Sequence, residues 1–515
     1  SITPLERLLA DISYMLRATN FPEVGGIFSL MTNQYTQGID RTKPLGVAVS
    51  LDGQMPVPVI FLPLSNRDQF FGALGSMGIE PDDLGDGLFE IDANGQLLYA
   101  KDANGWLYVS QTEDALANVP ADPAALLGDL PKKYDLAIKV NVQALPDDLR
   151  DMAAEQMRMG FERTLAEQGD QTEEEQELAR EMGEAQLAQI EQLVSETEQV
   201  IFGWAIDSKE QKTYMDGAAQ FLAGSKLAEQ CDAMKSLTSD YTAFKLPNSS
   251  AYFRATSEIL EQNDKEVMKQ NLSNSMKQIE KQIDDGNVGE DSKEMVMGLL
   301  GKLQELLEKT IDEGTFDGAG SVSVADNSLR ALVGGRIADG RMLEQELKNL
   351  VAGLPSGPST PKAEFDYETY KGVTLHRLTV PVKIPDASAR KVFGNELKIS
   401  IGTADKSFML ALDAAGDASL KAAIDGMSSA SAKAANPFEA VMEMTQILKF
   451  AQAVSPNSML DIATSAIEQA AGKDKLQVLG SVIPRGQIYR LTIEEGLLRA
   501  AGATASAGAQ GAPGF

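Results

Sequence analysis

One order of segments occurs twice along the chain, and it narrows the choice of fold more than any other feature. An apolar, β-favouring run at 135–142 leads into a long charged helical stretch that ends near residue 198. Two more strand-like runs, 200–206 and 212–221, flank the polar turn 207–211, and a helix begins at Lys226. From residue 251 the same order returns: a strand at 251–256, helix over 258–313, strands 320–324 and 329–337 around Asp326-Asn327, and a helix at 342–351. Gly217 answers Gly335, and Gly224 answers Gly340. The likeness is one of pattern more than identity, and it predicts a duplicated module. Looser hairpin-plus-helix units lie at 46–77 and at 397–427, the latter turning through Ala404-Asp405-Lys406.

Each hairpin passes directly into one helix, so the expected fold is α+β. Tandem hairpin-plus-helix modules should form antiparallel or mixed sheets covered on one face by helices, with long helical hairpins, and not a doubly wound parallel sheet. At 515 residues, 43% of them hydrophobic, the chain exceeds what one core usually organises. It divides into an N-terminal α+β module at 1–134, repeat modules at 135–247 and 248–352, and a C-terminal α+β module at 362–499. Between the last two lies the linker 353–361, Gly-Leu-Pro-Ser-Gly-Pro-Ser-Thr-Pro. The stretch 500–515 is nearly all Ala and Gly and reads as a disordered tail.

Local signals fill in the rest. Leu5, Leu8, Leu9, Ile12 and Leu16 recur at helical spacing in an opening helix. Pro56, Pro58 and Pro63 place the second strand of the first hairpin at a sheet edge or make it irregular. Asp-Ala-Asn-Gly occurs at 92–95 and again at 102–105, separating three strands of a meander. Asn and Gly supply the positive φ of tight turns, and neither copy continues into the oxygen-ligand pattern of a calcium loop. Hairpins are expected at 363–382, around Tyr370-Lys371-Gly372, and at 476–493, while 437–471 reads as mainly helical. The stripes Leu187, Ile190, Val194 and Val296, Leu299, Leu300, Leu303, Leu306, Leu307 mark buried faces on polar helices, and Glu173-Glu174-Glu175 marks a solvated one.

Composition removes whole classes of function. Asp and Glu outnumber Lys and Arg by 75 to 46, a net charge of −29, which repels nucleic acid and anionic lipid alike. One cysteine, Cys231, permits no intramolecular disulfide, and its helical setting predicts buried packing. One histidine, His376, removes multi-histidine metal sites and the usual general base. Strand alternation turns His376 away from Leu375 and Arg377, in a structural or exposed position where Gln should be tolerated. The one Ser-x-x-Lys, Ser359 to Lys362, contains Pro361, which denies it the helical turn that nucleophilic chemistry needs. Paired carboxylates stay open, with too many acids to choose among. No catalytic, cofactor-binding or metal residue is therefore assigned, and no cofactor is expected. No apolar run is long enough to span a membrane as a helix.

The layout of alternating hairpins and helices, the Pro-rich linker and the Ala/Gly tail resembles that of large uncharacterised exported bacterial proteins. The resemblance is carried notably by Leu397-Lys398-Ile399-Ser400-Ile401, then Gly402-Thr403-Ala404-Asp405-Lys406, then the apolar run 408–412. It implies no activity. Together with a chain that starts at Ser1, as a processed protein would, it makes a periplasmic or extracellular location the expectation. The expected function is a non-catalytic binding or structural role toward a protein or cell-envelope partner. One alternative is carriage of an apolar ligand such as a lipid in a groove between helices and a curved sheet. A carboxylate-dependent hydrolase is the second.

Overall fold

The computed structural model describes residues 1–511 apart from 20–21, 54, 94, 168–186, 260–261, 286–289, 326–327, 355–356, 358–359, 382–389, 391, 393–395, 414–415 and 430–432. The acidic run 173–175, the turn residues Asn94, Asp326 and Asn327, most prolines and serines of the linker and the last four residues lie outside the described set.

The fold is α+β, and its sheets are antiparallel. Thirteen strands make one long sheet. Across it run Lys362–Tyr370, Val373–Pro381, Glu396–Ala404, Ser407–Leu412, Ser328–Arg336, Thr315–Ala325, Ala251–Glu258, Phe438–Glu443, Lys475–Ile483, Gly486–Glu494, Lys212–Phe221, Thr197–Asp207 and Leu136–Asn141. Strands from both sides of the linker thus share one sheet. A second sheet of six strands takes the order Gly46–Asp52, Met55–Pro63, Trp106–Ser110, Gln96–Ala103, Leu88–Ala93, Pro81–Gly85. Ile2 joins the two, bridging Leu136 on one side and Leu45 on the other.

The hairpins close as their turn residues dictate. Asn104 and Gly105 both take positive φ between the paired Ala103 and Trp106, and Lys371 and Gly372 do the same between Tyr370 and Val373. The strand Met55–Pro63, expected at an edge or irregular, is interior and pairs on both sides. Its second partner engages only Val59 to Pro63, so Pro56 and Pro58 lie before that pairing begins.

Segment order within the long sheet is regular. Strand Leu136–Asn141, hairpin Thr197–Phe221 and helix Lys226–Ala233 follow one another, and the three strands lie side by side. So do strand Ala251–Glu258, the paired helices Gln262–Asp285 and Glu290–Glu313, the hairpin of Thr315–Ala325 with Ser328–Arg336, and helix Gly340–Gly353. The same order is taken by strand Phe438–Glu443, helices Met444–Val454 and Ser458–Glu468, hairpin strands Lys475–Ile483 and Gly486–Glu494, and helix Glu495–Gly511. Neighbouring sets meet through like strands: Ala251–Glu258 pairs with Phe438–Glu443, each first in its set, and Gly486–Glu494 pairs with Lys212–Phe221, each last.

Two expectations need correction. The helices do not keep to one face. A Cβ on Gly402 would touch Leu420 of helix Ala418–Ser429, whereas the next residue, Thr403, hydrogen-bonds Glu344 of helix Gly340–Gly353, and adjacent strand residues point to opposite faces. As far as Gly511, the Ala/Gly stretch is not a disordered tail but most of the helix Glu495–Gly511. Alanine is the best helix former, and the small side chains permit close docking. Ala500 packs with Ala463, Ala466 and Ile467, and Gly502 lies so near the Thr19 carbonyl that a Cβ would overlap it.

The principal core of the long sheet is the cluster of Leu332, Val373, Leu375, Met409 and Ala411 beneath Leu420, Ala423 and Ile424, closed at its side by Tyr241 and Phe244.

Candidate functional site

His376 is not exposed. It is 1% accessible, on the face covered by helix Gly340–Gly353. Among the described residues, Glu344, Asp366 and His376 bring ligand-capable atoms within 4.8 Å of one another, the arrangement a metal site would start from. Their donors are already spent. The Asp366 amide donates to His376 Nδ1 at 3.1 Å, and the Thr403 hydroxyl donates to Glu344 Oε2 at 2.8 Å. With that proton committed, the His376 Nε2–H points to Thr403 Oγ1, 2.9 Å away. Lys348 and Arg341 both pair with Glu344, and Lys348 also reaches Asp366. Burial alone would raise the Glu344 carboxyl, but hydrogen bonds from Lys348 and Thr403 bring it down to about 2. Burial outweighs the nearby carboxylates at His376 and lowers its pKa, which favours the neutral ring. The group is a satisfied strut between a helix and two strands, with both imidazole nitrogens engaged. Cys231 is buried, and desolvation raises its thiol pKa, the opposite of nucleophile activation.

The structure also brings together carboxylates that spacing could not select. Arg7 stands 3.0 Å from Asp135 and 3.5 Å from Asp11. Burial first, and the neighbouring Asp135 charge second, push the Asp11 carboxyl up to about 6 against the pull of Arg7. Asp135 is fully buried and accepts the Ile206 amide at 2.6 Å. The pair is enclosed between the first helix and the strand that follows Asp135. It offers substrate no access.

What stands open is one face of the long sheet. Directly paired residues point the same way, so register defines rows across strands. One row runs Val333, Gly320, Phe253, Ala440, Val478, Leu491, Met215, Trp204, Leu136. The next runs Ala255, Phe438, Gly480, Tyr489, Gly217, Phe202, Ile138. Neither row holds a charged side chain, yet Phe253 is 49%, Tyr489 46%, Phe202 58% and Ile138 65% exposed. Phe253 lies over Gly320, Tyr489 over Gly480, and Phe202 beside Gly217, so rings fill the glycine gaps and level the surface. Helix Lys226–Ala233 stands on this face over Ala219, and helix Gly340–Gly353 covers it beyond, at Thr403.

The row that faces the other way is its inverse: Ala319, Arg254, Glu439, Leu479, Arg490, Asp216, Gly203, Ala137. Asp216 accepts Tyr134 Oη at 2.7 Å and both Arg490 Nε and Nη2 at 2.8 Å, and Tyr134 covers Gly203. Cavities of about 760 and 490 Å³ lie among helices, lined by Asp147, Arg150 and Glu191 and by Ile190, Leu227 and Asp264, away from the open rows. Single-strand alternation marks a half-buried strand but not which half, so sequence reasoning missed the open face. Compared with protein families, curated proteins and solved structures, the chain matches none.

Proposed function

We propose that this is a non-catalytic binding protein of the bacterial envelope or exterior, acting through the open apolar strip of its long sheet. The observation that carries the reading is the pair of uncharged rows that leave Phe202, Phe253, Tyr489 and Ile138 facing water. Single exposed apolar residues are ordinary, but a contiguous patch of several hundred Å² marks an interaction surface. Support against catalysis comes from the engaged nitrogens of His376, the buried thiol of Cys231 and the enclosed Asp11–Asp135 pair. The recurring order of strand, helices, hairpin and helix supports descent by internal duplication, which would build so wide a sheet from one repeated part. A lone buried cysteine suits an oxidising compartment, since it exposes no thiol to oxidation.

The test is an apolar fluorescent dye titrated into the purified protein and into its Phe253→Glu variant, alongside mass spectrometry of organic extracts. Dye binding that falls several-fold in the variant supports the strip. Equal binding by both, with no strip-dependent ligand or partner, overturns it. A stoichiometric lipid in the extract would favour carriage of an apolar ligand, a reading helped by the helices that stand on the same face. Fractionation of the native cells tests the location, and recovery of the protein from the cytoplasm alone defeats it.

A further inference from the structure

We infer that the occupant of the strip is a second copy of this chain, packed sheet against sheet in a reversible dimer. This rests on the strip being a binding surface at all, and three features of it select the partner.

The first is shape. Nine strands about 4.8 Å apart make the strip roughly 38 Å long, and two rows with their side chains make it roughly 14 Å wide. An acyl chain is held by enclosure, since ligand sites typically bury about 70–90% of a small molecule. Here the rings of Phe253, Tyr489 and Phe202 lie over or beside glycines and level the floor, so no furrow lies between them. A level apolar sheet face is what another sheet packs on, about 10 Å away, as the two layers of a sandwich do.

The second is area. The strip covers on the order of 500–600 Å², so two copies face to face would bury about 1,000–1,200 Å² in all, at the lower limit for a specific interface. That size predicts association that responds to concentration, not an obligate dimer.

The third is charge. At −29 the chain offers strong attraction to a basic partner over most of its surface, yet neither row carries a charge to recognise one. A copy of the same uncharged face needs no complementary charge. It also meets its mate where neither side must desolvate an ion.

Sedimentation velocity from sub-micromolar to tens of micromolar protein tests the inference, with salt at physiological strength to screen the net charge. The expected result is a concentration-dependent shift from one chain to two. Phe253→Glu should hold the protein as a monomer throughout. Met215→Glu, on another strand of the same row, should do the same, and serves if Phe253→Glu melts early. Leu126→Glu replaces an even more exposed apolar residue outside the long sheet and should dimerise as the wild type does. A wild type that stays monomeric at every concentration overturns the inference, as does a dimer that both strip variants retain. The apolar dye separates this failure from that of the broader reading. A monomer whose dye binding is lost in Phe253→Glu leaves the strip a binding surface for something else, whereas a monomer that binds no dye removes both.

Discussion

Phe253 and Arg254 are neighbours in one strand, and their surroundings are the reverse of what their chemistry would ask. The phenylalanine, on the open face, is half exposed, while the guanidinium beside it is 5% accessible beneath the cover of the other face, where it meets Glu439 and the Asn436 carbonyl. Burying that charge costs several kcal/mol before pairing offsets it, and leaving the ring half in water forgoes about 1 kcal/mol of burial. The same inversion recurs between Met215 and Asp216. Accessibility in this sheet follows where the covering elements lie and not which residues prefer water. The charged face is committed to internal pairing. The apolar face is left free, and a free apolar face gains from a partner that a committed one cannot accept.

The largest effect should come from removing a buried acceptor on the charged face. Asp216→Ala leaves the Tyr134 hydroxyl and the half-exposed Arg490 without their shared partner and should cost about 2–4 kcal/mol. Phe202→Ser, on the open face, should change the stability of the single chain by less than about 1 kcal/mol. Urea denaturation of both at low protein concentration measures the contrast. Comparable losses would mean that the open face is packed after all.

How much of this was legible beforehand depends on the range of the interaction. The hairpins at 102–105 and 370–373 were plain, because Asn-Gly and Lys-Gly turns are local chemistry. Sequence alone hides the strand Phe438–Glu443 inside a mainly helical stretch, since its strand character comes from pairing with Lys475–Ile483 and with Ala251–Glu258, the latter nearly two hundred residues away. The open strip needed register across nine strands. Phe202 and Phe253 look like core residues in isolation, and only the structure shows them 58% and 49% exposed. Sequence alone leaves His376 structural or exposed because a singleton lacks obvious partners, but its partners Asp366, Thr403 and Glu344 come from three different elements.

The Ala/Gly helix sharpens the comparison from the side of the cover. Helix Leu5–Ala18 sends Arg7 to Asp135 at the charged face, and helix Glu495–Gly511 docks on its end through Gly502. Gly502→Val would drive a side chain into the Thr19 carbonyl and should cost about 1–3 kcal/mol, with faster amide exchange along both helices. A variant as stable as the wild type would show that the helix is not part of the cover.

His376 tests the covered half of the otherwise open face. Replacing it with Gln can keep the contact to Thr403 but leaves the Asp366 amide without its acceptor, for a cost of about 1–3 kcal/mol. Because burial lowers the imidazole pKa, the unfolded chain binds the proton first as pH falls. Wild-type stability from this group is therefore present above the unfolded value of about 6.5 and is lost as pH falls through the lower folded one. His376→Gln should flatten that acid-side loss. A variant whose pH profile keeps the wild-type slope would sink the assignment.

The smallest effect should be a gain, and it comes from a place where covering the charged face is poorly balanced. Asp11 and Asp135 share a single Arg7, and both carboxyls are buried. Burial, with the Asp135 charge beside it, raises the Asp11 carboxyl to about 6, so the folded protein holds this proton more tightly than the unfolded chain does. The sign is opposite to that of His376: the contribution is fully present below the unfolded value of about 3.8 and is lost as pH rises through about 6. At neutral pH the fold therefore carries an ionised carboxylate that it would sooner have neutral. Asp11→Asn keeps the shape, removes the repulsion and leaves Arg7 wholly to Asp135. It should stabilise the protein by about 1–2 kcal/mol at pH 7.5, with the gain shrinking toward zero as the pH falls below about 4. Urea midpoints of wild type and variant across that range measure it, and a loss of stability at pH 7.5 would show that Arg7 needs both carboxylates to hold the first helix in place.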